Sequence, residues 1–249
     1  MPRYDLRSPR LHTDAALAGG GAIKLDRDPA NYLLNVLRLK GGDAVLLFNG
    51  RDGEWRATLE VAGKRAVSLL VDEQTRPQPQ ANDLHMLFAP LKHARLDYMV
   101  QKAVELGATK LQPVITRHTQ VARVNTERMR ANAVEAAEQC GILSLPEIAE
   151  PAPLNALLGA RDVKRLLIFC DEDAEVKDPV AALKAARTSA RMPLAVLLGP
   201  EGGFAEEERA ALLKQPNVVR LALGPRILRA DTAAVAALAL VQSVLGDWS

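Results

Sequence analysis

Cysteine is nearly absent from this chain, with two among 249 residues, Cys140 and Cys170. Two isolated cysteines give neither a disulfide framework nor a metal-ligand spacing, so a reducing compartment is the simpler reading and a cytoplasmic location is expected. Histidine is scarce too: His12, His85, His93 and His118 show no ligand spacing, and no metal is expected. The aromatics number 2 Trp, 3 Tyr and 4 Phe, too few for an extended platform on which bases could stack. No stretch approaches the roughly 18 uninterrupted apolar residues of a membrane-spanning helix. The basic residues of the opening MPRYDLRSPR are followed by no apolar segment, so neither a membrane anchor nor a signal peptide is expected. An excess of one charge sign is also missing, with 32 Lys and Arg against 30 Asp and Glu.

What is present is an ample core-forming fraction, 48% apolar, in a chain long enough for one large domain or two modest ones. The composition changes at DEQTRPQPQAND, Asp72 to Asp83, which reads as a linker. Before it, AVLLFNG, GEWRATLEV and RAVSLLV read as strands, with a turn at NGRDG. One helical segment, DPANYLLNVLRL, precedes them, with Asp28 as the expected N-cap and Pro29 at the first helical position. This is a small β module, a barrel or half-barrel. After the linker, strands alternate with helices: LHMLFAP, KLQPVIT, RLLIFCD, LAVLLG and VVRLAL are the strands. Such alternation indicates an α/β domain with a mainly parallel sheet. The expected boundaries are residues 1–72 for the β module, 73–83 for the linker and 84–249 for the α/β domain. The final helix, DTAAVAALALVQSVL, is apolar nearly all round from Ala233 to Val241, which implies burial on several sides or a partner chain.

Three segments stand out. LLGPEGGF (Leu197 to Phe204) stops an apolar strand at a glycine-rich bend. It lacks the Gly-Lys-Ser/Thr of a P-loop and the spacing of a dinucleotide fingerprint, and its central acid would repel a pyrophosphate. LGPRILRADTA (Leu223 to Ala233) follows a later strand and carries two arginines ahead of a helix that Asp231 is expected to N-cap. In an open α/β sheet, ligands collect at the carboxyl ends of the strands, where these two segments could converge. The third segment, Lys92 to Gly107, lies in a basic stretch. From Leu91 to Arg130 there are eight Lys and Arg against three acids, a local charge of +5 that suits a phosphate-rich partner.

With LLGPEGGF and LxLGxRILRxxTA stand KHARLDYMVQKAVELGATKLQPVITRHT (Lys92 to Thr119), NAVEAAEQCG…LPEI (Asn132 to Ile148) and NYLLNVLRLKGGD. Together these blocks resemble the RsmE family of SPOUT-class RNA methyltransferases over nearly the full length. The resemblance implies a PUA-like RNA-binding β domain at residues 1–72, followed by a SPOUT domain with a deep trefoil knot. It implies methylation of N3 of one uridine, position 1498, in the 16S rRNA of the small ribosomal subunit, by a homodimer. S-adenosyl-L-methionine would be held largely by backbone groups of Leu198, Gly199, Pro200, Glu201, Gly202 and Gly203, and of Leu221, Leu223, Gly224, Ile227 and Leu228. That ligand is a sulfonium with no phosphate, which makes an acid in the loop tolerable, and glycines let the backbone approach it closely.

Several positions depart from the family pattern. Ala205 stands where a capping Ser or Thr is usual, with Glu208 retained three residues on, so half a capping box is missing. Asp231 stands where Glu is usual, Ile142 where Arg is common, and Asn35 where His is frequent. For the chemistry, Arg226 or Arg229 can stabilise the negative charge developing on the uracil carbonyls, Arg229 being favoured. Asp231 or Glu201 can accept the N3 proton. The target base must be unpaired or extruded to expose N3. The expected RNA contacts are Arg3, Arg7, Arg10, Arg38, Lys92 and Arg95. Two other readings stay open: a SPOUT methyltransferase acting on another tRNA or rRNA nucleotide, and a non-catalytic RNA-binding ribosome-assembly factor.

Overall fold

The computed structural model describes the chain apart from residues 1–4, 6, 63–65, 81, 122, 189–191 and 249. It divides into two compact units, one formed by Met1–Gln80 with Ala137–Leu145, the other by Ala81–Ala136 with Pro146–Ser249. The first unit is a β domain with strands β1 (Arg10–His12), β2 (Ala22–Lys24), β3 (Ala44–Phe48), β4 (Glu54–Ala62) and β5 (Ala66–Arg76), in the order β1-β3-β4-β5-β2. The β3–β4–β5 meander is antiparallel, and β1 adds in parallel to β3. Val45, Leu47, Ala57, Leu59, Leu69 and Val71 alternate along the three long strands and meet in one core with Leu11 and Leu33.

The helical segment of this unit starts earlier than the sequence suggests. α1 (Arg27–Asn31) has Asp26 at its N-cap, and Pro29 sits in the first turn at the third helical position. Proline is tolerated there because first-turn N–H groups have no intrahelical partner. The helix then widens into a π-helical turn over Tyr32–Val36, where the Leu37 N–H donates to the Tyr32 carbonyl at 2.9 Å. The expected linker is also shorter at its start, because β5 continues through residues 73–76 to Arg76.

That continuation serves a buried ion cluster. Glu54 has a side chain only 3% exposed and accepts from Arg10 at 2.9 Å and from Arg76 at 2.6 Å. The Thr75 hydroxyl donates to its other oxygen at 2.8 Å. Irregular register between Glu54 and Ala57 aims the carboxylate at this cluster. Gly53, at φ +81°, permits the bend, and any side chain there would collide with the Arg76 carbonyl. Arg76 also donates to the Gly141 carbonyl at 2.9 Å, fastening the Ala137–Leu145 segment within the same unit.

The second unit carries a parallel sheet: β6 (Leu84–Phe88), β7 (Lys110–Ile115), β10 (Leu166–Cys170), β11 (Leu194–Leu198) and β12 (Val218–Leu221), in the order β12-β10-β11-β6-β7. Two short strands, β8 (Glu147–Ile148) and β9 (Ala152–Pro153), pair with separate stretches of β7. Pro113 falls in the gap between them, where a missing N–H costs no ladder bond to that side. All five residues of β11 are buried, as expected of a strand covered on both faces. The connecting helices are α2 (His93–Glu105), α3 (Thr126–Cys140), α4 (Leu154–Ala160), α5 (Pro179–Ala185), α6 (Glu206–Leu213) and α7 (Ala230–Val244).

α7 packs on α2, α5 and β11. It buries one face through Ala234, Ala237, Leu238 and Val241, while Val235, Ala236, Ala239 and Leu240 remain partly exposed. Its one polar core residue, Gln242, is 1% exposed and donates to the Leu106 carbonyl at the end of α2 at 2.7 Å. Gly107, at φ +80°, ends α2, and a Cβ there would stand 2.6 Å from the Gln242 amide nitrogen.

Burial alone would push the Glu54 carboxyl up, but hydrogen bonds from Arg76, Thr75 and Arg10 outweigh it and hold the group below its ordinary value. A depressed folded pKa contributes stability that is complete above the unfolded value of about 4.3 and is lost as pH falls through the folded one. Glu54→Gln leaves the Arg10 guanidinium buried without a counter-charge and is expected to destabilise the β domain by about 3 kcal/mol at pH 7. Urea denaturation of the full chain should show that deficit constant between pH 6 and 8 and shrinking below about pH 4. A deficit independent of pH into that acid range would show that the carboxylate charge is not what stabilises the cluster.

Candidate functional site

Because β6, β7, β10, β11 and β12 run parallel, the segments that follow them leave the same edge of the sheet. β11 and β12 flank β10, so their carboxyl ends stand about 10 Å apart at ordinary strand spacing. This brings Leu198–Gly203 and Leu221–Leu228 to one edge, as the strand order requires.

The first loop is set against the core by Phe204. Its ring meets Phe169 of β10 edge-on at 5.2 Å and belongs to the cluster of Leu167, Leu197 and Leu212. A Cβ on Gly199 would stand 2.5 Å from that ring, so the backbone passes the aromatic at a distance only glycine allows. Gly203, at φ +71°, closes a turn in which its N–H donates to the Pro200 carbonyl at 2.9 Å. α6 then begins at an Ala205 N-cap. Alanine offers no acceptor, so only the reciprocal half of a capping box exists, in which Glu208 accepts from the Ala205 N–H at 3.0 Å. The other Glu208 oxygen accepts from the Arg117 N–H at 2.9 Å.

Two side chains from outside the motif hold this loop. Arg95 of α2 forms an ion pair with Glu201, and His118, which follows β7, lies 3.0 Å through Nδ1 from the Gly203 carbonyl. A carbonyl can only accept, so Nδ1 carries the proton. Around them is a cavity of about 180 Å³ lined by Lys92, Arg95, His118, Gln120, Pro200 and Glu201. His118 carried no signal in the sequence, because its partner is a backbone atom 85 residues away.

The second segment is built differently. From Ala222 to Leu228 no backbone group hydrogen-bonds to another part of the described chain. Leu221 is buried, Leu223 and Leu228 are half-buried, Gly224 takes φ +95°, and the Ile227 side chain is fully exposed. Arg226 and Arg229 are exposed and, among the described residues, have no ion-pair partner. The N-cap of α7 is Arg229 rather than Asp231, because the helix starts at Ala230. Asp231 therefore lies at the second helical position, where a carboxylate still complements the helix dipole. Its Oδ1 accepts the N–H of Thr232 at 2.9 Å.

Between the two loops, Asp171 directly follows β10, with a side chain 4% exposed. It accepts from Arg220 of β12 at 2.8 Å and from Arg209 of α6 at 3.1 Å, bracing both sides of the edge. The neighbouring Cys170 thiol is pushed up to about 12 by burial, so it is not a thiolate near neutral pH. Among the described residues, no group of three His, Cys, Asp or Glu is arranged to hold a metal ion.

Of the expected RNA contacts, Arg7, Arg38 and Lys92 are exposed, and Arg38 holds an unusual φ of +58°. Arg95 faces the glycine-rich loop through Glu201. Arg10 is corrected: it is 7% exposed and committed to Glu54 and the Asp5 carbonyl, which makes it a structural residue of the β domain. Arg3 lies outside the described residues.

The architecture and the two loops agree with comparisons to known proteins. Residues 77–242 match the RNA methyltransferase domain family and residues 25–72 the RNA methyltransferase PUA domain. The ribosomal RNA small subunit methyltransferase E of Rickettsia conorii is 32% identical over 234 residues, 94% of each chain. The Bacillus subtilis protein of the same name is 28% identical over 252 residues, 97% of this chain and 96% of its own. The crystal structure of the Neisseria gonorrhoeae ribosomal RNA small subunit methyltransferase E bound to S-adenosyl methionine superposes with a TM-score of 0.82 at 27% identity, covering 98% of this chain and 100% of that one. The α/β chain with an N-terminal PUA-like domain and a C-terminal parallel-sheet methyltransferase domain thus belongs to the RsmE family of RNA methyltransferases.

Proposed function

We propose that this protein transfers a methyl group from S-adenosyl-L-methionine to N3 of a uridine, position 1498, in the 16S rRNA of the small ribosomal subunit. The observation that carries the reading is the pair of unlike segments at one sheet edge: a braced glycine loop, and a stretch from Ala222 to Leu228 whose backbone makes no hydrogen bond to the rest of the described chain. Backbone N–H and C=O groups can read adenine, ribose and amino-acid edges without side-chain charge, which suits an overall singly charged sulfonium ligand. The residues proposed to hold it are Leu198 to Gly203 on one side and Leu221, Leu223, Gly224, Ile227 and Leu228 on the other. When bound, the cofactor supplies an electrophilic methyl on sulfur.

In the proposed chemistry, the N3 lone pair forms the new bond to carbon as the carbon–sulfur bond breaks to a neutral thioether. The imide proton leaves N3 to a carboxylate, Asp231 or Glu201, directly or through water. Negative charge builds on the flanking carbonyls, and Arg229 or Arg226, without an ion-pair partner among the described residues, is suited to stabilise it. Exposed Arg7, Arg38 and Lys92, with Arg95, supply phosphate contacts that orient the RNA. The partly exposed flank of α7 favours a homodimer, as does the exposed Ile227. The reading further includes a trefoil knot in the parallel-sheet domain, a cytoplasmic location and a linker through residues 77–83.

Gly199→Ala is expected to lower cofactor affinity at least ten-fold, because the new methyl displaces the Phe204 ring or the loop, with a stability loss of about 1–3 kcal/mol. Calorimetric titration with S-adenosylmethionine, alongside thermal unfolding, checks it, and undiminished affinity would remove the loop from the site. The decisive assay is transfer of labelled methyl to small subunits lacking the modification, with the digested RNA resolved for 3-methyluridine. One such product at one position is the expected result, whereas label in tRNA or in large-subunit RNA moves the target. Arg229→Ala should lower turnover by a factor of about 100 or more with cofactor affinity within two-fold of wild type; turnover at the wild-type rate would refute its role.

A further inference from the structure

The cavity beside the glycine-rich loop shares Pro200 and Glu201 with the proposed cofactor site, but its basic side chains come from outside that site. Three of its lining side chains, Lys92, Arg95 and His118, are basic, Gln120 is a neutral donor, and Glu201 is the only acid. The basic segment from Leu91 to Arg130 looks uniformly cationic in sequence, but its charges are mostly spent in pairs. Arg128 binds Asp97, Arg130 binds Glu127, Lys110 binds Glu147, Lys102 binds Glu105 and Arg117 faces Glu207. Among the described residues, Lys92 and Arg123 are the basic groups of this segment left without an acid, and Lys92 lines the cavity. Arg95, which also lines the cavity, is paired among the described residues with Glu201.

We propose that this cavity is a subsite for one backbone phosphate of the substrate RNA, bound by Lys92 and Arg95, and that the Glu201 carboxylate occupies the phosphate's place on Arg95 when RNA is absent. The proposal rests on the reading of the protein as an RNA methyltransferase and names where that site receives the strand. A carboxylate seated on the guanidinium marks a position at which an anion is already accepted. Both partners of the pair are more than two-fifths exposed, so the pair is weak and a phosphate with a second cation beside it can displace it. The amino-acid end of the cofactor fits less well, because its carboxylate is accompanied by an ammonium that Lys92 and Arg95 would repel. His118 and Gln120 close the cavity wall, and His118 keeps the Gly203 end of the loop fixed while Glu201 exchanges partners.

The test is fluorescence anisotropy of a labelled single-stranded uridine-containing RNA oligonucleotide with the full chain across a KCl series, paired with calorimetric titration of S-adenosylmethionine. Lys92→Ala should weaken RNA binding by roughly five-fold at low salt and make the log–log salt slope shallower by about 0.7, the signature of one lost phosphate contact on a single strand. Its cofactor affinity and unfolding temperature should equal those of the wild type. Glu201→Gln should instead strengthen RNA binding by about two- to five-fold, since it removes the competing anion. An unchanged salt slope in Lys92→Ala, or a fall in its cofactor affinity in place of RNA affinity, overturns the phosphate subsite, the latter because the cofactor's carboxylate would then occupy it. No gain on Glu201→Gln overturns the competition. If the wild type neither binds nor methylates RNA, the methyltransferase reading fails and this subsite with it; if the wild type does both, a null result in Lys92→Ala sinks the subsite alone.

Discussion

The close passage of the Gly199 backbone over the Phe204 ring is the constraint on which the rest of the site depends. Phe204 is anchored by Phe169 in the sheet core, so the ring cannot retreat without opening a cavity among Leu167, Leu197 and Leu212. The strand therefore has to turn at Gly199, and the loop that follows is held at a fixed height above the sheet edge. Glu201 then stands within reach of Arg95, and the Gly203 carbonyl within reach of His118. Three ties, from Phe204, Arg95 and His118, thus converge on Gly199 to Gly203.

Much of the architecture was legible in the sequence. β5 and the middle of β4 show period-two alternation, and β3, β10 and β11 are short apolar runs bounded by turn residues, so local pattern and final fold agree. The helix ends marked by Gly107 and Gly141 were also readable, since both adopt the positive φ that glycine supplies. β1, β2, β8 and β9 were not, because two- and three-residue strands leave no periodicity to detect. The linker was read too early because Glu73, Gln74 and Thr75 are polar, whereas Thr75 and Arg76 are in the strand to serve Glu54. Polar composition marks a loop only when no buried charge calls for polar partners. Arg10 was misread for the same reason: an arginine near the start of a chain looks like a surface cation until a buried carboxylate appears 44 residues away.

The site divides along the same line. Both glycine bends follow strands, and parallel topology takes them to one edge, so their convergence was readable from motif and strand order alone. The side chains that hold the first loop were not readable as partners. His118 bonds to a backbone oxygen, and Arg209 and Arg220 reach Asp171 across 38 and 49 residues, separations over which spacing carries no information. Asp231 shows a subtler limit. Its residue type suited an N-cap, but the chain enters α7 from an extended Arg229, at ψ 151°, so the cap position falls two residues earlier. Type preference fixes a helix start only to within a residue or two.

The two loops differ in what a ligand must supply. The first is preorganised by Phe204 and His118, so a ligand meeting it gives up little conformational freedom. The second, from Ala222 to Leu228, has no backbone bond to the rest of the described chain, and Arg226 within it and Arg229 just after it have no counter-charge among the described residues. Fixing it requires a partner that satisfies backbone donors and acceptors together with an anion or developing negative charge for the arginines. In the function proposed above, a cofactor held by the backbone answers the first requirement and leaves the cations uncompensated, and a uracil ring losing its imide proton answers the second. On that proposal the segment is complete only with both bound, which puts much of the ordering where the transition state, rather than either ligand alone, benefits from it.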